Sequence, residues 1–162
     1  MSSLVDPFVR VAYRGAYNLA LAWWFVRRPH TQGTLVGVWR GHDVLLLQNS
    51  YKRAFSLPGG GQHRGESPGE TGSRELREEV GLHVPAERLR PVFVHQGTDE
   101  YKHDTCHFVE LEVETEPALV LDHREVVWAR FIGVDTALRL PLVPGVRAYL
   151  EEAARRRQSV TP

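Results

Sequence analysis

Apolar positions recur at the helical period between residues 8 and 26: Phe8, Ala12, Gly15, Leu19, Ala22 and Val26 share one side, and Arg10, Arg14 and Asn18 the other. The pattern predicts an amphipathic helix, ended at Arg28-Pro29 because the residue before a proline is pushed out of the helical region. Its apolar side is expected to pack on the domain or on a dimer partner. After Gly33 the period falls to two. Residues 34–39 alternate as a strand, Gly41-His42 turns, and 44–48 form an apolar run short enough to be a buried strand, so a hairpin is expected. A polar connection over 49–54, a brief strand over 55–57 and a glycine loop over 58–61 come next.

Ser67, Pro68 and Glu70 have the spacing of a capping box with proline at the first helical position, and Gly81 stands where a C-terminal glycine closes a helix. Strands are expected at 90–96, 103–113 and 126–132, the first two joined by a polar loop over 97–102. In the second, His107, Val109, Leu111 and Val113 face one way and Phe108, Glu110 and Glu112 the other. A C-terminal helix over 144–157 places Val146, Tyr149, Leu150 and Ala153 on one face. The organisation expected is a helical extension over 1–30, one α/β domain over 31–158 and a tail over 159–162.

Composition narrows the function classes. A chain of 162 residues with 42% hydrophobic and 25% charged residues suits one domain with a substantial core. Formal net charge is zero and the only lysines are Lys52 and Lys102, so no broad cationic face for duplex nucleic acid is expected; a small phosphorylated substrate fits better. The lone Cys106 cannot form an internal disulfide, which points to a reducing cytoplasm and a small hydrophobe in a strand. The apolar run over 19–26 is too short to span a bilayer and lacks the pattern of a signal peptide, so neither is expected. The less favoured alternative to packing is interfacial membrane binding through Trp23, Trp24 and Arg27-Arg28.

The chemistry is concentrated in GGQHRGESPGETGSRELREEVGL, residues 60–82. At about 100° per residue, Glu75, Glu78 and Glu79 fall within roughly 100° of arc on the predicted helix, where like charges repel unless a cation sits among them. Oxygen-only ligands suit a hard ion such as Mg²⁺, which takes one or two carboxylates and bridges to phosphates. Glycines at 59–61 would let the backbone approach the same site.

The spacing Gly60, five residues, Glu66, seven residues, Arg74-Glu75-Leu76-x-Glu78-Glu79-x-Gly81-Leu82 resembles the Nudix box at every defined position. Leu57-Pro58-Gly59-Gly60 is similar to the usual approach to that box. The resemblance implies a Nudix-type α/β/α sandwich with a mixed central sheet, here with an extra N-terminal helix, and hydrolysis of a diphosphate linked to another moiety. It implies Mg²⁺, with Mn²⁺ as a substitute, held by Glu79, Glu78 and Glu75 and by the carbonyl of Gly59. Glu75 is then a ligand or the general base, Arg74 orients it through a bidentate pair, and Glu66 acts through water or behind the ligands. Glu125 and Glu100 are alternative bases from outside the box. The attack implied is in line at phosphorus, by a water that a carboxylate deprotonates.

For the remainder of the substrate, Tyr51, Lys52 and Arg53 are candidates to grip phosphate, Phe55 or Trp39 to stack on a base, and His63 and Arg64 to touch phosphate near the metal. Gly97 stands where ADP-ribose hydrolases of the family carry proline, and Tyr101 falls near the tyrosine of dinucleoside polyphosphate hydrolases. A nucleoside triphosphate or similar nucleotide is the substrate favoured. ADP-ribose, dinucleoside polyphosphates and RNA 5′ ends are the alternatives, and a nucleotide sensor without turnover is the alternative class. A homodimer fits the apolar side of the first helix, as does a monomer with that helix folded back.

Overall fold

The computed structural model describes residues 6–121 and 123–159; residues 1–5 of the expected extension and 160–162 of the expected tail lie outside them. Its elements run α1 (Asp6–Arg27), β1 (His30–Arg40), β2 (Asp43–Asn49), β3 (Gly59–Gly61), α2 (Pro68–Val80), β4 (Arg90–Gly97), β5 (His103–Glu112), β6 (Val126–Gly133), α3 (Val134–Ala137) and α4 (Pro144–Gln158). The sheet has the order β4-β5-β1-β2-β6, with the short β3 paired to β1. β1 and β5 run parallel from His30 opposite His103 to Trp39 opposite Glu112, and the named neighbours otherwise pair antiparallel. The sheet is therefore mixed.

Both faces of the sheet are covered. Val36, Val38, Leu45, Leu47, Val109 and Leu111 pack under Leu76 and Val80 of α2, while Trp39, Val44, Leu46 and Phe108 pack under Val146, Tyr149 and Leu150 of α4. This explains why residues 44–47 read as an unbroken apolar run: a strand buried on both sides needs no polar alternation. Phe108 and Val109 diverge to opposite cores, as the alternation of β5 requires. Cys106 is half-buried in β5 against the α4-side core.

Three expectations are corrected. Residues 59–61, expected as a loop, form β3, because Gly59, Gly60 and Gly61 lie opposite Leu35, Thr34 and Gly33 in close backbone pairing. The brief strand over 55–57 is reduced to isolated bridges, Ser56 to Leu47 and Phe55 to Leu142. The third correction concerns α1: of the two surfaces expected to take its apolar side, the domain and a dimer partner, the domain does not, for Phe8, Leu19 and Val26 are 78%, 74% and 75% exposed.

It is the opposite side of α1 that docks. Tyr13 and Tyr17 lie against the Tyr51 ring, with centroids 6.3 and 5.1 Å away, and the Lys102 ammonium sits 4.6 Å from the Trp24 ring centroid. Arg10 donates to the carbonyl of His123 and Arg14 to that of Ser50. The physical reason is that this side carries large rings and donors that match bare loop carbonyls, whereas the apolar side is interrupted by Ala12, Gly15 and Ala22, which offer little area. Among the described residues no helix is long and apolar enough to cross a membrane.

Candidate active site

Helix α2 carries the acidic run and is capped as its sequence requires. The Ser67 side chain accepts from the Glu70 N–H, Glu70 accepts in return from the Ser67 N–H, and Gly81 closes the helix at φ 72°. Leu76 and Val80 anchor it to the sheet, and this rotation turns Glu79 inward, where it is 5% exposed. Gly59 and Gly60 line the facing edge. A Cβ on Gly60 would lie 2.5 Å from Glu75 Oε1, so a side chain there would push the carboxylate from this position.

Three carboxylates are coupled electrostatically here: Glu125 acts on both Glu75 and Glu79, and Glu75 acts on Glu79. Burial pushes Glu79 well above the usual carboxylate range; the Gly59 N–H, donating to its Oε2 at 2.8 Å, opposes this, while Glu75 and Glu125 add to it. Burial likewise raises Glu75, against the pull of Arg74, with Glu78 and Glu125 adding to the rise. Glu125 is carried just ahead of β6. It is fixed by its own carbonyl, which accepts from the Ser50 N–H at 2.7 Å, and by the Tyr51 hydroxyl, which donates to its Oε1 at 2.8 Å. A register shift between Gln48 and Asn49 interrupts the β2–β6 pairing at this corner.

Arg74 is arranged differently from the expectation. Its guanidinium fork engages Glu66, Nε to Oε1 at 3.0 Å and Nη2 to Oε2 at 3.1 Å, and it reaches Glu75 through a single Nη1 to Oε1 contact of 2.6 Å. Glu66 also accepts from the His63 N–H and the Thr71 hydroxyl, and with Arg74 first among these donors its pKa falls to about 2. Glu66 is thus a brace for Arg74, half-buried behind the acids. Glu78 is turned outward, 51% exposed, and paired with Arg74 and Arg77 at 3.4 and 3.5 Å, so it stands on the rim and not with the inner three.

Among the described residues no three metal-ligating side chains converge into a ready-made cage. Each inner acid is held by a neighbour: Glu75 by Arg74, Glu79 by Gly59 and Glu125 by Tyr51. The donor set still fits a hard cation. A buried carboxylate with two further acids beside it and no cation of its own is the environment that a divalent ion would stabilise, and Mg²⁺ keeps several waters in place of a closed protein cage.

From Gly61, Gln62 and Glu125 a cleft of about 720 Å³ extends beneath α1. Tyr13, Tyr17 and Trp24 form its roof, with Tyr51, Lys52, Glu100 and Lys102 among its walls. Glu100 lies here and not with the inner acids. Burial would raise it, but Lys52 at 2.7 Å and the Tyr17 hydroxyl at 2.5 Å hold it below the ordinary range.

The sequence candidates for substrate contact divide. Lys52 and Tyr51 line the cleft; Arg53 lines a neighbouring recess. Phe55 packs edge-on against Trp128 at 5.2 Å, and Trp39 is wholly buried with its Nε1 donating to the Tyr149 hydroxyl, so neither can stack on a base in the cleft. His63 and Arg64 are exposed in the loop before α2, outside the cleft lining. Tyr17 and Trp24 are not among the sequence candidates; a line of rings on the less apolar side of the first helix, Tyr13, Tyr17 and Trp24, is the signal that could have found them.

The NUDIX domain model matches residues 29–157, beginning just after α1. A protein provisionally named 8-oxo-dGTP diphosphatase 3, from two strains of Mycobacterium tuberculosis, is 30% identical over 85% of this chain. This chain spans 62% of the length of those relatives. A MutT NUDIX hydrolase from Burkholderia pseudomallei superposes with a TM-score of 0.65 at 20% identity, covering 75% of this chain and 96% of that one. A bifunctional NMN adenylyltransferase/ADP ribose pyrophosphatase from Francisella tularensis, complexed with AMP and a manganese ion, superposes with a TM-score of 0.72 at 14% identity over 90% of this chain and 48% of that one. With its box, its mixed sheet between helices and a match over most of its length, the chain belongs to the Nudix family.

Proposed function

We propose that this protein is a divalent-cation-dependent nucleotide pyrophosphohydrolase, acting on a nucleoside triphosphate or a closely similar nucleotide. The observation that carries the reading is that Glu79 and Glu75 face the Gly59–Gly60 edge, each raised by burial and by neighbouring acids including Glu125, which itself lines a cleft roofed by aromatic rings. Glu79, Glu75, Glu125 and the Gly59 carbonyl are the groups that would hold Mg²⁺ or Mn²⁺, with Glu78 joining from the rim. The ion, when bound, supplies neutralisation of phosphoryl charge and activation of water.

The chain's own residues do the remainder. Glu75 is the first candidate for general base, since its raised proton affinity moves it toward the working pH and makes it a better acceptor of a water proton. The water oxygen then bonds to phosphorus in line, the anhydride P–O bond opposite breaks, and the leaving phosphate departs with that electron pair. Arg74 is a positioning residue: braced by Glu66, it holds Glu75 in place. Glu125 is the alternative base, with the Tyr51 hydroxyl orienting it. The roof of Tyr17 and Trp24 supports a nucleobase as the group beyond the diphosphate, because rings of this kind stack on a base whatever its identity.

The names of the relatives favour nucleotides of several kinds, so the test is a panel: nucleoside triphosphates including 8-oxo-dGTP, ADP-ribose, diadenosine polyphosphates and triphosphorylated RNA, each with and without Mg²⁺. Cation-dependent release of nucleoside monophosphate and pyrophosphate from a triphosphate is expected. Binding without turnover across the panel would make the domain a sensor and refute the reading.

A further inference from the structure

Next to the cleft, α1 and the residues following β2 enclose a second recess of about 760 Å³. Tyr17, Tyr51 and Lys52 are its common wall with the cleft, and Arg10, Arg14 and Arg53 complete its cationic lining. The two spaces differ sharply in charge. The cleft is bordered by Glu100, Asp104 and Glu125 as well as by lysines, whereas among the described residues no carboxylate lines the recess. Lys52 is paired with Glu100 at 2.7 Å, which leaves Arg10, Arg14 and Arg53. In a chain with 20 basic and 20 acidic residues, three arginines around one hollow without an acid are a local excess that invites an anion.

The arginines are also arranged for one. Arg10 is fixed by two bonds to the His123 carbonyl, at 3.0 and 2.9 Å, and Arg14 by one to the Ser50 carbonyl at 3.0 Å. Carbonyls orient a guanidinium without cancelling its charge, and they leave the rest of its N–H fork to bind elsewhere. The Arg53 side chain is exposed, while its carbonyl accepts from Gln48 Nε2, which steadies the loop that presents it. Neutralised cations would need no ligand; these are held in place with their charge intact.

We propose that this recess is a polyphosphate-binding site, distinct from the carboxylate centre and built jointly by the N-terminal helix and residues 48–53. Guanidinium forks match phosphate oxygens two at a time, and several converging on one hollow favour a chain of phosphates over a single carboxylate. The phosphates have two sources. They belong either to the far end of the substrate, reaching past Tyr51 and Lys52 from the cleft, or to a separate phosphorylated molecule. The first source rests on the nucleotide hydrolase reading, and the recess itself does not.

Calorimetric titration of the full chain with inorganic tripolyphosphate, without divalent cation, tests the site, because the bare carboxylate centre then repels the anion. Saturable binding that weakens with added salt is expected, reduced about tenfold by Arg14→Gln or by Arg53→Gln. The exposed Arg139→Gln controls for net charge and Glu79→Gln for the carboxylate centre; both should bind as the wild type does. Arg53 is on the surface, so its variant reports on binding even if Arg14→Gln unfolds. No binding by the wild type, or binding of wild-type affinity by both Arg53→Gln and a folded Arg14→Gln, overturns the proposal. A KM for nucleotide raised in Arg53→Gln assigns the phosphates to the substrate, and an unchanged KM with lost tripolyphosphate binding assigns them to a separate molecule. Arginine-dependent binding in a protein that hydrolyses no nucleotide would leave the recess standing and remove only the hydrolase reading.

Discussion

The Gly59 N–H donates to Glu79 Oε2 at 2.8 Å, joining the most buried carboxylate of α2 to the glycine strand that faces it. That bond satisfies one lone pair of a group that has lost most of its solvent and has Glu75 and Glu125 as neighbours. A neutral donor cannot offset a buried charge. The proposed divalent cation would supply the countercharge, and this imbalance is expected to govern the response of the site to charge removal, to pH and to Mg²⁺.

Replacing Glu79 by glutamine keeps the shape and removes the charge. The cation-dependent hydrolysis rate is expected to fall by about 10²–10³-fold, the loss typical when one group that stabilises transition-state charge is removed. The cation-free variant should melt no lower than the wild type at neutral pH, because an unfavourable buried charge has gone. Steady-state kinetics and thermal denaturation on the same preparations check both parts.

Glu79 also sets a pH dependence. Its pKa in the fold is raised above the unfolded value of about 4.3, so the folded chain holds the proton more tightly than the unfolded chain does. Stability from that proton is present below the unfolded pKa and is lost as pH rises through the raised one. The cation-free Tm should accordingly fall as pH rises above about 5. Mg²⁺ should recover more of it at pH 7 than at pH 5. Glu66 works in the opposite sense: with a folded pKa of about 2, its contribution is present above the ordinary range and is lost as pH falls toward that value. Thermal scans from acid to neutral pH, with Glu79→Gln as the variant that flattens the upper slope, test the assignment.

Arg74 divides its donors among Glu66, Glu75 and the Gly61 carbonyl. Lysine keeps the charge but cannot reproduce that planar fork. Arg74→Lys should lower kcat by about tenfold with little change in KM, as expected of a group that positions a base and does not bind the substrate's remote parts. A KM effect without a kcat effect would move Arg74 into the substrate-binding surface.

On the other face of the sheet, the Glu110 side chain is 2% exposed and takes Arg156 at 2.8 Å and the Tyr149 hydroxyl at 2.9 Å. Burial would raise its pKa, yet these partners hold it below the ordinary range. Glu110→Ala leaves the buried Tyr149 hydroxyl without its acceptor and the partly exposed Arg156 without its partner, and it should destabilise the chain by about 1–3 kcal/mol. The activity of the molecules that remain folded should be unchanged, since Glu110 lies on the α4 side of the sheet. Denaturant melts alongside kinetics separate the two effects.

Tyr17 contributes to the cleft both a ring and a hydroxyl bonded to Glu100. Tyr17→Ala should raise KM for base-bearing substrates by about tenfold, and Tyr17→Phe by much less, if stacking is the main contribution. Equal effects of the two would assign the role to the hydroxyl and its hold on Glu100.

How far the sequence reveals this site depends on how locally each feature is specified. Ser67, Pro68, Glu70 and Gly81 bound α2 through contacts within a few residues, so the helix and its acids are legible from spacing alone. Glu125 is nearly as accessible, because a strand start places it. The fork from Arg74 to Glu66 spans eight residues and a loop, while adjacency in the sequence points to Glu75 as the partner. Amphipathicity misleads for α1 because it says only which side is apolar, and here aromatic rings and unpaired loop carbonyls decide which side docks. By alternation alone Glu110 resembles a solvent-facing strand residue. Only the return of the arginines at the end of α4 reveals it as a buried pair.

The most direct test of a cation-dependent carboxylate centre is the rate of nucleotide hydrolysis measured against Mg²⁺ concentration for the wild type and Glu79→Gln. Saturable dependence on the cation is predicted for the wild type, with a loss of about 10²-fold or more in the variant that excess Mg²⁺ does not recover. Equal rates in the two proteins, or turnover indifferent to the cation, would contradict it.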